Sequence, residues 1–390
     1  MKIAIIQPTP FRKGHYYVYT KSLFNELRNY KYKVNIISAA KVYRYFGKEN
    51  TSNLNFNIYS FKGLIFYLFL CFITIFRFVF LRKKFNRLII LDCEYSCVSI
   101  LLIFLKILRW KGKITIQVNA PNFEYDFYNQ GINFFKILKL IQSFIFKFSL
   151  NLFDIKISCL GEWHKNLLSR QLSLKKENII VIEDGGGGIV QKFSEKELIY
   201  NFEKESINYP KYNKKIFLLF GNFRKDKGHL FIATVWNQFF NKTDDPYLWI
   251  VGHDEEKLSR KILDCASKNI VIHNSYLPSE LISCVYQKAD FAILPYLSHY
   301  SGGSGPLMKG AFTHSKLALV SNVSEMGRLA KEENFAEYFI PEDSQNAFSS
   351  IKKILEKKEE YYTDKIERAL RYANERNWTN LSRKFIDSFK

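Results

Sequence analysis

Cysteine is scarce in this sequence of 390 residues, and the patterns in which cysteine does chemistry are missing. No C-x-x-C pair occurs, which excludes a zinc ribbon and a thioredoxin-type redox site. The cysteines are also too few and too scattered for a disulfide framework. There are six of them: Cys71, Cys93, Cys97, Cys159, Cys265 and Cys284. An Asp-x-Asp pair is absent as well, so we expect neither a metal ion nor another cofactor to be required.

Acidic residues are scarce in the first 150 residues. That part has six Asp and Glu against 23 Lys and Arg, a net charge of +17, and the rest of the chain adds only +4 to reach +21. A strongly basic region indicates a polyanionic partner: nucleic acid, an acidic membrane surface or an acidic substrate. The cations alternate with apolar runs and form no exposed basic arm, so we expect no nucleic-acid partner.

The sequence begins without the long apolar run of a signal peptide. Only residues 3–6 are apolar before Gln7 and Pro8, which is typical of a buried first strand. With 47% apolar residues the chain can form sizeable cores, which excludes disorder of the whole chain. The length corresponds to two or three domains.

Two longer apolar segments lie within the basic region, at residues 64–81 and 134–153. The first is interrupted by Arg77 and followed by Arg82, Lys83 and Lys84. Three interpretations remain open for them. They are core helices whose cations extend to the surface, helices that lie on an anionic leaflet, or, for the first segment, a marginal transmembrane span.

Strand-like and helix-like segments alternate along most of the chain, which predicts an α/β fold with two doubly wound parallel sheets. The predicted strands are at residues 3–6, 34–38, 54–59, 88–91, 114–118, 155–158 and 179–182, and then at 216–220, 247–251, 270–272, 291–294, 317–320 and 338–340. We assign residues 1–190 to an N-terminal Rossmann-like domain and 213–372 to a C-terminal one. Between them, after four glycines at 185–188, the polar stretch 191–212 is predicted to be a linker. Residues 373–390 are predicted to be a helix that crosses back to the N-terminal domain. Ligands of such sheets bind beyond the carboxyl ends of the strands, so we expect the site where the two domains face each other across a cleft.

Two loops in the C-terminal half are suited to bind an anion. In the first, Gly221 ends a strand and is followed by Arg224 and Lys227, two cations that can bracket a diphosphate at the start of a helix. In the second, small residues with free N–H groups, including Ser304 and Gly305, precede a helix that begins near Pro306. The alternatives are a solvated basic loop for the first and a simple helix cap at Ser304 for the second.

Together these loops resemble the C-terminal domain of group 1 glycosyltransferases, the large family-4-like group of retaining enzymes with the GT-B fold. The family's FG-x-x-R-x-x-KG motif is matched at residues 220–228. Its A-D-x-x-x-x-P-Y strand is matched at residues 289–296, and Ser304-Gly305 follows. Residues 250–252 and 276–281 fit the intermediate family positions. The resemblance is specific only between residues 220 and 320.

The resemblance implies a nucleotide-sugar donor held by the C-terminal domain. Arg224 and Lys227 would bind its diphosphate, with Gly221, Ser304 and Gly305 beside them. Two glutamates common in the family are replaced here by Ser301 and Lys309, so the nucleotide and the choice between inversion and retention stay open. Near the donor sugar or the acceptor we expect Gly14, Asn119, His299, Ser301 and Gly303.

The catalytic base is expected in the N-terminal half. His15, in the loop after the first strand, resembles the base of inverting GT-B enzymes, and its imidazole suits removal of a hydroxyl proton. Glu124 and Asp126 in a later loop are alternatives, as are Asp92 and Glu94. We assign no role to His164 and His229, whose positions are typical of helix residues without partners.

The expected function is transfer of a sugar from a nucleoside-diphosphate sugar to a lipid-linked or polysaccharide acceptor, in bacterial surface-polysaccharide assembly. The enzyme is expected in the cytoplasm, peripherally bound to the anionic inner face of the cell membrane. Two alternatives stay open: a GT-B-shaped nucleotide-sugar epimerase, and a non-enzymatic binder of anionic membrane or nucleic acid.

Overall fold

Two parallel β-sheets, each of six strands, organise the chain in the computed structural model. The structure describes residues 1–8, 15–38, 61–91, 93–119, 134–188, 190–211, 214–242, 245–254, 256–264 and 268–387. The described chain divides into two compact units. Unit 1 comprises residues 1–183 and 378–390, and unit 2 comprises residues 184–377.

The sheet of unit 1 has the strand order β2-β1-β3-β4-β5-β6, with every neighbouring pair parallel. Its strands are β1 (Lys2–Ile6), β2 (Lys33–Ile37), β3 (Arg87–Ile90), β4 (Lys113–Val118), β5 (Ile155–Cys159) and β6 (Ile179–Val181). Its helices are α1 (His15–Asn29), α2 (Phe61–Leu81), α3 (Tyr95–Ile107), α4 (Phe134–Leu150), α5 (Glu162–Leu172) and, from the end of the chain, α13 (Trp378–Asp387). The order reverses between β1 and β3, which places the loops after these two strands at a topological switch point.

The sheet of unit 2 has the order β12-β11-β10-β7-β8-β9, also parallel throughout. Its strands are β7 (Ile216–Phe220), β8 (Tyr247–Gly252), β9 (Ile270–Asn274), β10 (Phe291–Leu294), β11 (Leu317–Ser321) and β12 (Glu337–Phe339). Its helices are α6 (Glu195–Lys204), α7 (His229–Phe239), α8 (Leu258–Leu263), α9 (Ser279–Lys288), a π-helix (Pro306–Phe312), α10 (Ser324–Lys331), α11 (Ser344–Glu356) and α12 (Thr363–Glu375). The switch point of this sheet lies between β7 and β10.

The two doubly wound parallel sheets predicted from the sequence are confirmed. Each predicted strand that falls in the described residues is present to within one or two residues at either end, because continuous apolar runs mark strands that are buried on both faces. The predicted strand at residues 54–59 lies outside the described residues.

The stretch predicted to be a linker differs in the structure, because it contains helix α6. Ser194 and Glu197 form a capping box at its start. Leu198 and Phe202, four residues apart on one face, are buried in the core of unit 2 beside Trp249. The charged outer surface gives this amphipathic helix the composition of a loop.

The end of the chain completes unit 1. The preceding helix α12 belongs to unit 2, whereas α13 packs against α1 in unit 1. Leu381 and Phe385 are buried there beside Tyr19 and Leu23. Lys384 donates to the buried Glu183 carboxylate at 2.7 Å.

Candidate functional site

The candidate site of unit 2 is built on a tight turn after β7, at the switch point of the sheet. The Gly221 N–H donates to the Val251 carbonyl at 2.9 Å, which joins the end of β7 to the end of β8. Gly221 has φ +124° and Gly252 has φ +155°, and a Cβ on Gly252 would lie 2.1 Å from the Gly221 carbonyl oxygen. Only glycine lets these two strand ends come so close.

A short 3-10 helix, Lys225–Lys227, follows this turn; Arg224 precedes it and Lys227 is its last residue. The Arg224 guanidinium forms an ion pair with Asp226, two residues on. Its side chain is partly exposed, so the paired guanidinium still faces solvent. The 3-10 helix ends at Gly228, which has φ +69° and begins α7.

His229, the first residue of α7, packs against this loop and supports it. Its ring is fully buried and stacks on Phe223 with 4.8 Å between ring centroids. The Nδ1 lies 3.2 Å from the Arg224 carbonyl oxygen, so the neutral ring donates a hydrogen bond to the Arg224 backbone. Burial, together with the nearby Lys227 charge, lowers the pKa of His229 to about 3. His229 therefore has a partner, contrary to the sequence-based interpretation.

The two predicted anion loops meet in the structure. The Asp226 carbonyl accepts from the Leu297 N–H at 2.9 Å, and a Cβ on Gly228 would lie 1.8 Å from the Pro295 carbonyl oxygen. A Cβ on Gly221 would contact the Lys227 Nζ at 3.2 Å and the Pro306 ring at 3.3 Å. The ammonium group of Lys227 and the start of the π-helix thus both lie over Gly221.

Ser304 and Gly305 begin the π-helix that follows the second loop. The Ser304 Oγ accepts from the Leu307 N–H at 3.3 Å, so the predicted capping role of Ser304 is present. Pro306 occupies the first turn, where its missing N–H costs nothing. A Cβ on Gly305 would point into open space, with no other part of the described chain within 4 Å of it. π-helices are rare and occur frequently at functional sites.

Two buried tyrosines support the loop between β10 and the π-helix. The Tyr296 hydroxyl lies 3.3 Å from the Ser304 Oγ, and Lys227 lies over the Tyr296 ring at 5.8 Å. The Tyr300 hydroxyl donates to the Gly303 carbonyl, and the two rings meet edge to face. Burial raises the pKa of Tyr296 to about 12, so its hydroxyl stays protonated.

The predicted sugar-side residues of this loop lie between Tyr296 and the π-helix. His299 follows Ser298, whose N–H and hydroxyl both donate to the Glu342 carboxylate, and these bonds hold the pKa of Glu342 below its usual range. Ser301 and Gly303 are partly exposed. Glu342 thus orders the loop from a distant part of unit 2, which no local pattern in the sequence indicates.

Lys309 occupies the position where many group 1 glycosyltransferases have a glutamate. It lies in the π-helix with its ammonium nitrogen buried, and this burial lowers its pKa while the Asp184 carboxylate opposes that change. An ammonium group cannot accept hydrogen bonds from ribose hydroxyls, whereas a carboxylate can.

The residues predicted as catalytic lie in unit 1, and the structure describes only some of them. His15 is the first residue of α1, the helix that follows β1 at the switch point. Asn119 follows β4, and its Nδ2 donates to the Leu91 carbonyl at 3.4 Å. Gly14, Asp92, Glu124 and Asp126 lie outside the described residues. Glu94 caps α3 by accepting from the Cys97 N–H at 3.1 Å, and burial raises its pKa.

Three residues of the site were missed by the sequence analysis: Asp226, His229 and Tyr296. Asp226 could have been found, because an acidic residue two positions from Arg224 is a local pairing signal. The other two act through burial and through contacts with distant residues, which the sequence does not display.

Comparisons with known proteins give one family match and several similar structures. Residues 201–372 match the family model for glycosyl transferases group 1. A sequence search of curated proteins gives no match. The structure is similar to a glycosyltransferase from Rickettsia africae, with 16% identity, a TM-score of 0.68, and coverage of 100% of this chain and 97% of that one.

Two further solved structures are similar over nearly their whole length. Anabaena HepE in complex with UDP and glucose has 12% identity and a TM-score of 0.70, with 100% of this chain and 99% of that chain covered. Sucrose-phosphate synthase from Thermosynechococcus elongatus has 11% identity and a TM-score of 0.69, with 99% and 98% covered. At such identities these likenesses establish the fold. Residues 201–372 match the group 1 glycosyltransferases, and the chain has the GT-B fold.

Proposed function

We propose that this protein is a glycosyltransferase and that it transfers a sugar from a nucleoside-diphosphate sugar to a lipid-linked or polysaccharide acceptor. The observation that carries the proposal is the meeting of Lys227 and the start of the π-helix over Gly221. A glycine surface with a cation and the start of a helix above it suits a diphosphate.

The donor diphosphate would be bound by Arg224, Lys227 and the backbone at Ser304 and Gly305. When the sugar leaves, negative charge grows on the diphosphate, and positioned cations stabilise that charge without a metal ion. His229 and Tyr296 act through these groups, since they fix the Arg224 backbone and the Ser304 hydroxyl. The first nucleotide to test is UDP, because Anabaena HepE has been solved with it.

A lipid-linked acceptor and a position at the inner face of the cell membrane are supported by unit 1. Its charge is strongly positive, and several of its helices expose phenylalanine and isoleucine side chains. The proton of the acceptor hydroxyl is proposed to go to His15, with Glu124 and Asp126 as alternatives. Incorporation into a surface polysaccharide is part of the same proposal.

Donor binding is tested by thermal denaturation of the full chain with UDP, ADP, GDP and CDP. We expect one of these to raise the melting temperature, and Arg224→Ala or Lys227→Ala to remove that rise, since a charge-assisted contact contributes about 1.5–3 kcal/mol. Lys225→Ala is the matched control, because Lys225 is an exposed cation of the same 3-10 helix. An unchanged rise in both site variants would reject the diphosphate assignment.

Transfer itself is tested by product analysis with nucleotide sugars and a lipid-linked acceptor. We expect His15→Asn to lower the rate of transfer and to leave the nucleotide-induced thermal shift intact. Full activity in that variant would assign the base to another residue. The anomeric configuration of the product decides between inversion and retention.

A further inference from the structure

Three neighbouring helices of unit 1, α2, α3 and α4, expose large apolar side chains along one face each. We call these side chains together the apolar face. On α2 they are Ile65, Phe66, Phe69, Phe72, Phe76 and Phe80. On α3 and at its end they are Ile100, Phe104, Ile107 and Leu108, and on α4 they are Ile137, Leu140, Ile141, Phe144, Ile145 and Phe148. The spacing of three and four residues keeps each set on one side of its helix.

The apolar face is continuous from helix to helix. α2 packs against α3, and α3 packs against α4. Phe76 of α2 and Phe104 of α3 have ring centroids 6.3 Å apart, and the Gln142 amide of α4 donates to the Ser96 hydroxyl of α3 at 3.0 Å. An aromatic side chain has about 150–250 Å² of surface, so sixteen partly exposed side chains add up to on the order of 1,000 Å². A monomer rarely exposes a patch beyond a few hundred Å² without a partner.

The opposite sides of the same helices are anchored in the core of unit 1. Cys71, Ile75 and Phe78 of α2 are fully buried, as are Leu101 of α3 and Phe146 of α4. α2 is long and apolar enough to cross a membrane by composition. However, spanning a bilayer would remove its buried side chains from the core and expose the sheet. The face is therefore suited to contact an apolar phase from one side only.

The charged side chains on the three helices of the apolar face are all of one sign, and Glu94, the cap of α3, lies just before them. Residues 61–91, 95–119 and 134–153 contain no Asp or Glu. Cations stand at the helix ends, with Arg82, Lys83 and Lys84 after α2 and Arg109 and Lys111 after α3. A second copy of this surface would bring these cations against each other. An anionic lipid leaflet complements both the apolar side chains and their basic surroundings.

We propose that the apolar face is a membrane-docking surface, which inserts its phenylalanine and isoleucine side chains into one leaflet of an anionic bilayer while its cations contact the lipid phosphates. The helices lie in the plane of the interface, and none crosses the bilayer. Docking through this face does not depend on the identity of the donor or the acceptor.

The test is sedimentation of the full chain with vesicles of phosphatidylcholine, with or without phosphatidylglycerol. We expect binding to the anionic vesicles to exceed binding to the neutral ones and to fall between 0.01 M and 1 M salt, where the Debye length shortens from about 30 Å to about 3 Å. Equal binding to both kinds of vesicle would overturn the anionic assignment, and no binding at either salt concentration would overturn the docking surface.

The variant Phe69→Ser/Phe80→Ser/Phe144→Ser removes three side chains that are exposed by 57 to 80%. We expect its apparent affinity for anionic vesicles to fall by about tenfold or more, since burial of a single Phe is worth at least that factor. The matched control is Leu263→Ser/Ile340→Ser/Tyr361→Ser, three side chains of unit 2 exposed by 54 to 59%. Equal losses in both variants, or none in the first, would overturn the assignment of the surface.

A second pair of variants tests the cations. Lys83→Gln/Lys84→Gln is expected to weaken vesicle binding and its salt dependence, whereas Lys196→Gln/Lys204→Gln on α6 removes the same charge from unit 2 and is expected to leave both unchanged. Equal effects would overturn the role of the helix-end cations. Release of bound protein by alkaline carbonate is expected, and retention would indicate a spanning helix instead.

Two further measurements separate the remaining outcomes. A dimer in solution that the triple Phe→Ser variant dissociates would assign the apolar face to self-association and overturn the proposal. Nucleotide-induced thermal shifts should persist in that variant, and vesicle binding should persist in Arg224→Ala. Loss of only one property in each case distinguishes failure of membrane docking from failure of donor binding.

Discussion

At the scale of single residues, the candidate site of unit 2 depends on a buried histidine that supports the Arg224 backbone. His229 is fully buried, and its Nδ1 donates to the backbone of Arg224. A protonated ring would bury a charge away from solvent and place it near the Lys227 ammonium group. For these two reasons the pKa of His229 is lowered to about 3. The position of the Arg224 backbone is thus coupled to a neutral imidazole.

This coupling predicts that acid destabilises the protein through His229. The unfolded chain binds a proton at His229 below about pH 6.5 and the folded chain does not, so stability falls as the pH drops through the window between 6.5 and 3. At pH 5 the loss from this residue is about 2 kcal/mol, at ~1.36 kcal/mol per pH unit. Denaturant unfolding at pH 7 and pH 5 measures this loss in the free energy of unfolding.

The control for this measurement is His229→Asn, whose amide can still donate to the Arg224 carbonyl and does not titrate. Burial also lowers the pKa of His273 and His314, so both proteins lose some stability in acid. The difference between their pH dependences isolates His229. Parallel pH dependences in the two proteins would show that His229 does not contribute.

Site residues could be predicted from the sequence where they lie close together along the chain. Gly221, Arg224 and Lys227 stand within seven residues after an apolar strand, so their arrangement could be inferred from spacing alone. The contact of Tyr296 with Ser304 and the support of the 299–303 loop by Glu342 join separate parts of the chain. Such contacts depend on how the strands are ordered, and the sequence does not display that order.

At the scale of elements, helix α6 shows how composition can mislead. The stretch 191–212 is polar and mixed in charge, as a linker is, and only Leu198 and Phe202 mark its buried side. The stronger signal is the pair Ser194 and Glu197, three residues apart, which satisfies N–H groups at both ends of the first turn. Capping, more than hydrophobicity, defines this short helix.

We therefore expect Ser194→Ala to lower the free energy of unfolding of unit 2 by about 1 kcal/mol, the usual cost of losing a helix cap. Ser349→Ala on α11 is the matched control. Ser349 is an exposed helix residue whose hydroxyl bonds only to the Gln345 carbonyl of its own helix, so the change should be neutral or slightly stabilising. Equal free energies of unfolding for wild type and Ser194→Ala would mean that α6 is as dispensable as a linker.

At the scale of the whole molecule, the loops that contain predicted site residues follow the strands at which the strand order reverses, in both sheets. In unit 2 the strand order reverses between β7 and β10, and the two anion loops follow those strands. In unit 1 it reverses between β1 and β3, the strands that precede His15 and Glu94. Strand and helix alternation predicted the parallel sheets, but the switch points became visible only with the strand order.

The end of the chain makes unit 1 discontinuous in sequence, and this leads to a prediction about the whole molecule. Phe385 of α13 is fully buried beside Tyr19 and Leu23, with 6.5 Å between the ring centroids of Phe385 and Tyr19. Phe385→Ala leaves a cavity in that core and should cost unit 1 about 3–5 kcal/mol. Hydrogen exchange should then rise in the peptides of unit 1, and those of unit 2 should keep their protection. Phe80→Ala, at a side chain exposed by 80%, should change neither. A uniform rise in both units would instead show that they unfold together as one cooperative body.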